Sequence, residues 1–228
     1  MASLTEIPAL RIASGYEGFA AIGSGGATTG LLILPEMFGV TAAMQDAARD
    51  FATAGIPTLV PNIFRRSANA DALGYDGRDR EIAQDRADNL DPDAACEDIE
   101  LAIDALQSEV PSLRRVAALG HCIGGGLAVT ALAKTRLFAA ISYYGFGISK
   151  LGSALGHLAK PAQLHYGLDD PHIPISEVEA VKALSGSNPN VVVFEYQAAH
   201  SFCNPYRPMY DKVQATIAHE RAFALIRD

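Results

Sequence analysis

The chain has 228 residues, 49% of them hydrophobic and 19% charged, with a formal net charge of −8 at pH 7. That length and composition suit a globular protein with a sizeable core, and exclude an intrinsically disordered chain. The acidic balance without a basic stripe excludes a nucleic-acid partner, and the apolar runs are far too short to span a bilayer.

The opening third carries two alternating stretches, Leu10 to Ala13 and Tyr16 to Ile22, separated by Ser14-Gly15. They predict an antiparallel pair at a sheet edge. Gly23 to Gly30 is a turn rich in Gly, Thr and Ser, with neither the lysine nor the following helix of a phosphate loop. Leu31 to Leu34 is a short continuous apolar run, as expected of a strand covered on both faces. Thr41 is a good N-cap for a helix with Met44, Ala47, Ala48 and Phe51 at helical spacing, stopped by Gly55. Thr58 to Val60 is the next buried strand.

Residues 62 to 93 interrupt this rhythm, and 11 of the 23 residues from Asp71 to Asp93 are charged. Two readings stand: a solvated insertion with a frayed helix, or a lid over a site. Asp91-Pro92 then opens an amphipathic helix with Ala95, Ile99, Ala102, Ile103 and Leu106 on one face. Val116 to Leu119 reads as a strand and runs straight into Gly120-His121-Cys122-Ile123-Gly124 and a glycine-rich helix. Further strands are expected near Phe138 to Tyr143, Ala162 to Tyr166 and Val191 to Tyr196. Between the last two, Ser176-x-x-Glu179 has the form of a capping box for a helix that points Val178, Val181 and Leu184 inward. A helix from about Met209 to Arg227 closes the chain. Strand and helix alternating in this way predict one α/β domain over residues 1–228, a mostly parallel sheet with helices on both faces.

Three cysteines, Cys96, Cys122 and Cys203, are an odd number without metal-type spacing. They suit a reducing cytoplasm and leave at least one free thiol. Met1 to Pro8 lacks the basic and apolar segments of a secretory signal. These two features predict a cytoplasmic protein; a small-molecule substrate, no metal or cofactor and a monomer are separate expectations.

The Gly-x-Cys-x-Gly pentapeptide between strand and helix is the nucleophile-elbow pattern of α/β-hydrolases, with a thiol in place of the serine. Gly120 and Gly124 are needed because a Cβ at either place clashes with the neighbouring strand or helix. Cys122 is then held above the sheet edge, at a helix N-terminus that favours negative charge, with the Ile123 N–H as an oxyanion donor. The plainer alternative for such a residue is a small buried core cysteine. The elbow pattern asks next for an acid and then a histidine, each past a strand end. Asp169 and Asp170 both follow the strand Ala162 to Tyr166, and the hydrolase pattern favours Asp170. His200 is the one histidine past the last strand, placed to take the thiol proton while the aspartate fixes its tautomer.

On these residues the chain resembles the dienelactone hydrolase (carboxymethylenebutenolidase) family over nearly its whole length. The matching stretches are Leu34-Pro35-Glu36-Met37-Phe38-Gly39-Val40, Gly120 to Gly126, Tyr143-Tyr144-Gly145, Gly167-Leu168-Asp169-Asp170 and His200-Ser201-Phe202. The resemblance implies an α/β-hydrolase fold and hydrolysis of a carboxylate-bearing lactone or enol ester through a cysteine acyl-enzyme. It implies that Glu36 contacts the thiol in the resting enzyme and that the Met37 N–H is the second oxyanion donor. It also implies two arginines for the substrate carboxylate. One matches Arg80; the place of the second is taken by Asn204, and Arg207, three residues on, is the alternative guanidinium. That departure leaves another lactone or ester open as the substrate.

Overall fold

A computed structural model describes residues 3–228. The reading of the chain start takes in Met1 and Ala2, which lie outside the described residues. Eight strands form one sheet in the order β1-β2-β4-β3-β5-β6-β7-β8. The strands are β1 (Leu4–Ala13), β2 (Tyr16–Gly23), β3 (Thr29–Leu34), β4 (Thr58–Pro61), β5 (Arg115–His121), β6 (Ala140–Tyr143), β7 (Ala162–Gly167) and β8 (Val191–Tyr196). The hairpin β1–β2 is antiparallel, as the alternating pattern predicts, and β2 also meets β4 antiparallel. Every other pairing is parallel. The central strands are buried along their length, so their apolar runs are continuous rather than alternating.

Six α-helices connect them: α1 (Ala42–Thr53), α2 (Gly77–Asp88), α3 (Pro92–Glu109), α4 (Ile123–Lys134), α5 (Ile175–Ser185) and α6 (Lys212–Arg227), with a 3-10 segment over Ile148–His157. Adjacent residues of β6 show that the helices lie on both faces. A Cβ on Gly125 of α4 would lie 2.7 Å from Ser142 Oγ, while the Tyr143 hydroxyl pairs with His219 Nδ1 of α6 at 3.0 Å. Successive strand residues point to opposite faces, so α4 and α6 cover opposite sides. α1 joins the α6 side, where Phe51 meets Phe223 with ring centroids 4.5 Å apart.

Local signals differ in how well they set the ends. The Asp91 carboxylate caps α3 by accepting from the Asp93 and Ala94 N–H groups, with Pro92 at the first helical position. The Ser176 capping box does not form: α5 starts at Ile175, after Pro174 and two residues before the box would start it, so Ser176 lies within the first turn, and Glu177 accepts bonds from Ser149. Pro174 occupies the N-cap position at φ −64° and ψ 150°, and the helix starts there without a side-chain cap bond. α6 begins after Asp211, whose side chain accepts from Val213 and Gln214.

β3 is flanked by β4 on one side and β5 on the other, so the chain reverses its direction of winding there. An open parallel sheet forms its crevice beyond the carboxyl ends of strands at such a switch point. Leu34 pairs with Gly120 in the last register position of β3 and β5. The loop bearing Glu36 and Met37 therefore emerges beside the turn bearing Cys122.

Candidate active site

At the end of β5, Cys122 adopts φ 55° and ψ −118°, a left-handed conformation that non-glycine residues rarely take. The two flanking glycines make the turn possible. A Cβ on Gly120 would lie 1.9 Å from the Gly124 carbonyl oxygen, and one on Gly124 would lie 2.2 Å from that of Leu34. Tyr144 (φ 42°) and Ser201 (φ 64°) are the only other non-glycine residues at positive φ among those described, and both flank His200 or its ring. Strain clustered in this way marks a place where the fold holds side chains against local preference.

Past β7, Asp170 is buried and Asp169 is not: Asp169 accepts from Gln197 at the surface. Asp170 Oδ1 accepts from the His172 and Ile173 N–H groups at 2.8 and 3.0 Å, and Oδ2 accepts from His200 Nδ1 at 2.6 Å. The remaining ring nitrogen of His200 is left to Cys122. Burial works against a charged imidazole, but the bonds and negative charges of Asp170 and Cys122 outweigh it and push the His200 pKa up to about 9. On the pocket side the partner of the ring is the Cys122 sulfur. The Tyr144 ring packs 4.9 Å from the imidazole, and the Tyr144 hydroxyl is tied to His121 Nδ1 at 2.8 Å.

Cys122, His200, Ile123, Glu36, Met37, Arg80 and Arg207 all line one hollow of about 160 Å³. This is compact beside the roughly 300–1,000 Å³ of pockets for drug-sized ligands. Among the described residues no three His, Cys, Asp or Glu side chains come together in a way that could hold a metal ion.

Glu36 is 2% exposed. Its partners are the Asn204 amide, which donates to Oε1 at 2.9 Å, and the Tyr75 hydroxyl, not the thiol. Burial raises the Glu36 pKa, with the positive charges of Arg207 and His200 and the bonds from Tyr75 and Asn204 pulling the other way. In place of the expected contact with the thiol, the buried Glu36 carboxyl is held by Asn204, within the same pocket wall as Cys122. Asn204 itself, 1% exposed, lies behind Glu36 and is not in the pocket wall.

The two arginines do reach the pocket. Neither Arg80, on α2, nor Arg207 makes an ion pair or a side-chain hydrogen bond among the described residues. Arg207 Nε is buried and unpartnered, its guanidinium held over the Tyr75 ring at 4.6 Å and near Phe38 at 5.5 Å. A stacked guanidinium with open donors is preset for a planar anion. His172 adds a third nitrogen base to the wall, 5.1 Å from the His200 ring. Burial, together with the charges of His200, Arg80 and Arg207, holds its pKa below the usual value.

The charged stretch from 71 to 93 holds the helix α2 over Gly77–Asp88, which meets the pocket through Arg80, Gln84, Ala87 and Asp88. Its anchor is Arg86, only 3% exposed. Arg86 Nε donates to the Met37 carbonyl at 2.9 Å, and Nη1 donates to those of Asn69 and Asp71 at 2.9 and 2.7 Å. Its guanidinium lies 4.3 Å from the Phe64 ring centroid, and burial lowers its pKa to about 10, still charged at neutral pH. Tyr75, Arg86 and His172 carry no sequence motif.

A profile of the dienelactone hydrolase family matches residues 17–228. The chain is 31% identical over 193 residues to carboxymethylenebutenolidase from Pseudomonas putida, covering 84% of this chain and 82% of that protein. It is 28% identical over 199 residues to carboxymethylenebutenolidase 1 from Cupriavidus pinatubonensis, covering 86% and 84%. The solved structure of a candidate dienelactone hydrolase from Klebsiella pneumoniae superimposes with a TM-score of 0.83 at 21% identity, covering 100% of this chain and 98% of that one.

Proposed function

On the premise that this chain belongs to the dienelactone hydrolase family of α/β-hydrolases, we propose that it hydrolyses a small carboxylate-bearing lactone or enol ester through a cysteine acyl-enzyme. The observation that carries this reading is a thiol opposite a carboxylate-bound imidazole, in a compact pocket whose two arginines have no partner of their own.

The Cys122 thiolate attacks the ester carbonyl carbon, with the thiol proton resident on His200. The tetrahedral oxyanion is received by the Ile123 and Met37 N–H groups, the first of them at a helix N-terminus where no earlier carbonyl competes. Collapse breaks the bond to the ring oxygen, and the imidazolium returns its proton to the departing enolate. Water, deprotonated by the now neutral His200, then attacks the thioester and releases the acid. Arg80 and Arg207 hold the substrate carboxylate, and Asn204 with Tyr75 holds the Glu36 carboxyl. The whole acts as one domain.

Comparing dienelactone with its methyl ester tests the substrate class. The free acid is expected to have the higher kcat/KM by about 10- to 100-fold, the worth of one charge-assisted bidentate contact. Arg207→Met is expected to remove most of that preference by raising KM for the acid, with the methyl ester little changed. Equal rates for acid and ester favour a second reading, a neutral-ester esterase, for which the turn of Asn204 toward Glu36 instead of the substrate speaks.

Arg86 sets the Met37 loop, so Arg86→Met is expected to lower kcat by about 10- to 100-fold while KM moves less than about threefold, since a misplaced oxyanion donor is felt mainly in the transition state. Circular dichroism melting separates this from unfolding, and an unchanged kcat in the folded variant refutes it.

A further inference from the structure

A second hollow of about 580 Å³ adjoins the first, and the two share the side chains of Ala87, Asp88, Ile123 and Phe146. It runs between the end of α2, the outer turns of α4 and the 3-10 segment, bordered by Leu90, Leu127, Thr130 and Leu151. Neither Arg80, Arg207 nor His172 touches it. It therefore extends from the oxyanion side of the pocket, away from the cationic wall.

Phe146 stands at the boundary between the two spaces. Its ring centroid is 6.3 Å from that of His200, yet the residue is 47% exposed, a large apolar side chain without cover. Its loop is drawn onto α4 by Gly126, where a Cβ would lie 2.0 Å from the Phe146 carbonyl oxygen. At the far rim Lys134 is neutralised by an ion pair with Asp93. Asp88 and the exposed Lys150 also border the hollow, and between them Leu90, Ile123, Leu127, Phe146 and Leu151 form the apolar floor of a trough.

We propose that this trough binds an apolar chain, alkyl or arylalkyl, carried by the ester or lactone whose carbonyl sits at Cys122. The inference rests on the hydrolase reading above and extends it: the substrate is charged toward Arg80 and Arg207 and apolar toward Phe146, Leu127 and Leu151. Full burial of a methylene is worth up to roughly a fourfold gain in binding. A chain laid in the trough thus produces a rising series that a compact pocket alone does not.

Two series test it: p-nitrophenyl esters from acetyl to octanoyl, and γ-lactones with ring alkyl groups from methyl to hexyl. In one of them kcat/KM is expected to rise by about two- to fourfold per methylene over several carbons, mainly through KM. Thr130→Trp, which fills the trough from the surface of α4, is expected to abolish the rise while leaving p-nitrophenyl acetate turnover as it was. Leu151→Gln serves as a second variant should the first fail to fold. A flat or falling profile in both series, with acetate still turned over, overturns the trough and spares the hydrolase reading. So does a rise that neither folded variant alters. Acetate turnover that does not depend on Cys122 overturns both.

Discussion

Cys122→Ala is expected to lower kcat for dienelactone and for p-nitrophenyl acetate by at least about 10⁴-fold, the scale on which a covalent nucleophile is missed when its partners remain. The fold should survive. The elbow depends on Gly120 and Gly124, whose hydrogens face the Gly124 and Leu34 carbonyls, and Ala bears the same Cβ as Cys at the same strained φ. What disappears is the sulfur that gives His200 one of its two negative partners. The His200 pKa should accordingly fall below about 9 in the variant, a shift that imidazole NMR titration reads directly. Steady-state rates within tenfold of the parent protein would place hydrolysis elsewhere. Failure of the parent protein to turn over any ester or to form an acyl-enzyme would instead make this a binding protein on a hydrolase scaffold.

The second large effect is expected for Asp170→Asn, at about 10³- to 10⁴-fold in kcat, by the tautomer argument that applies to other hydrolytic triads. Asp170 Oδ1 accepts two backbone N–H bonds, and the Asn carbonyl can keep both. The amide NH₂ then faces His200 Nδ1, which must accept instead of donate. That puts the ring proton on the nitrogen turned toward Cys122, where a free lone pair is needed to take the thiol proton. Loss of the Asp170 bond also removes a main cause of the raised His200 pKa, so the ring should titrate lower. Because the backbone bonds persist, the melting temperature should move by only a few degrees. A variant with near-parental kcat would show that Asp170 merely shapes its loop.

The two effects reach the reader of the sequence by unequal routes. Gly120, Cys122 and Gly124 lie within one pentapeptide, and the clash that requires the glycines is local. Asp170 and His200 are legible through chain order, since each follows a strand end that the apolar runs mark. Asp91-Pro92 is legible for the same local reason. The charged stretch 71–93 was legible as helix or lid but not as the carrier of Arg86, because a buried guanidinium paired with carbonyls leaves no pattern in charge or periodicity. The Ser176 capping box was a local signal that misled, since Pro174 already supplies the helix start.

By itself the sequence determined the alternation of strand and helix, the sharp turn under Cys122 and the order of the three polar side chains, all matters of sterics and spacing within short windows. Only the tertiary structure decided which side chain holds the Glu36 carboxyl, since Asn204 lies 168 residues further along the chain. It alone decided that Arg80 and Arg207 enter one pocket and that a trough opens beside Phe146. Such facts arise when the sheet brings the ends of distant strands into one crevice. A hydrogen bond or a hollow formed there depends on the closure of the whole chain, and no local run of residues encodes it.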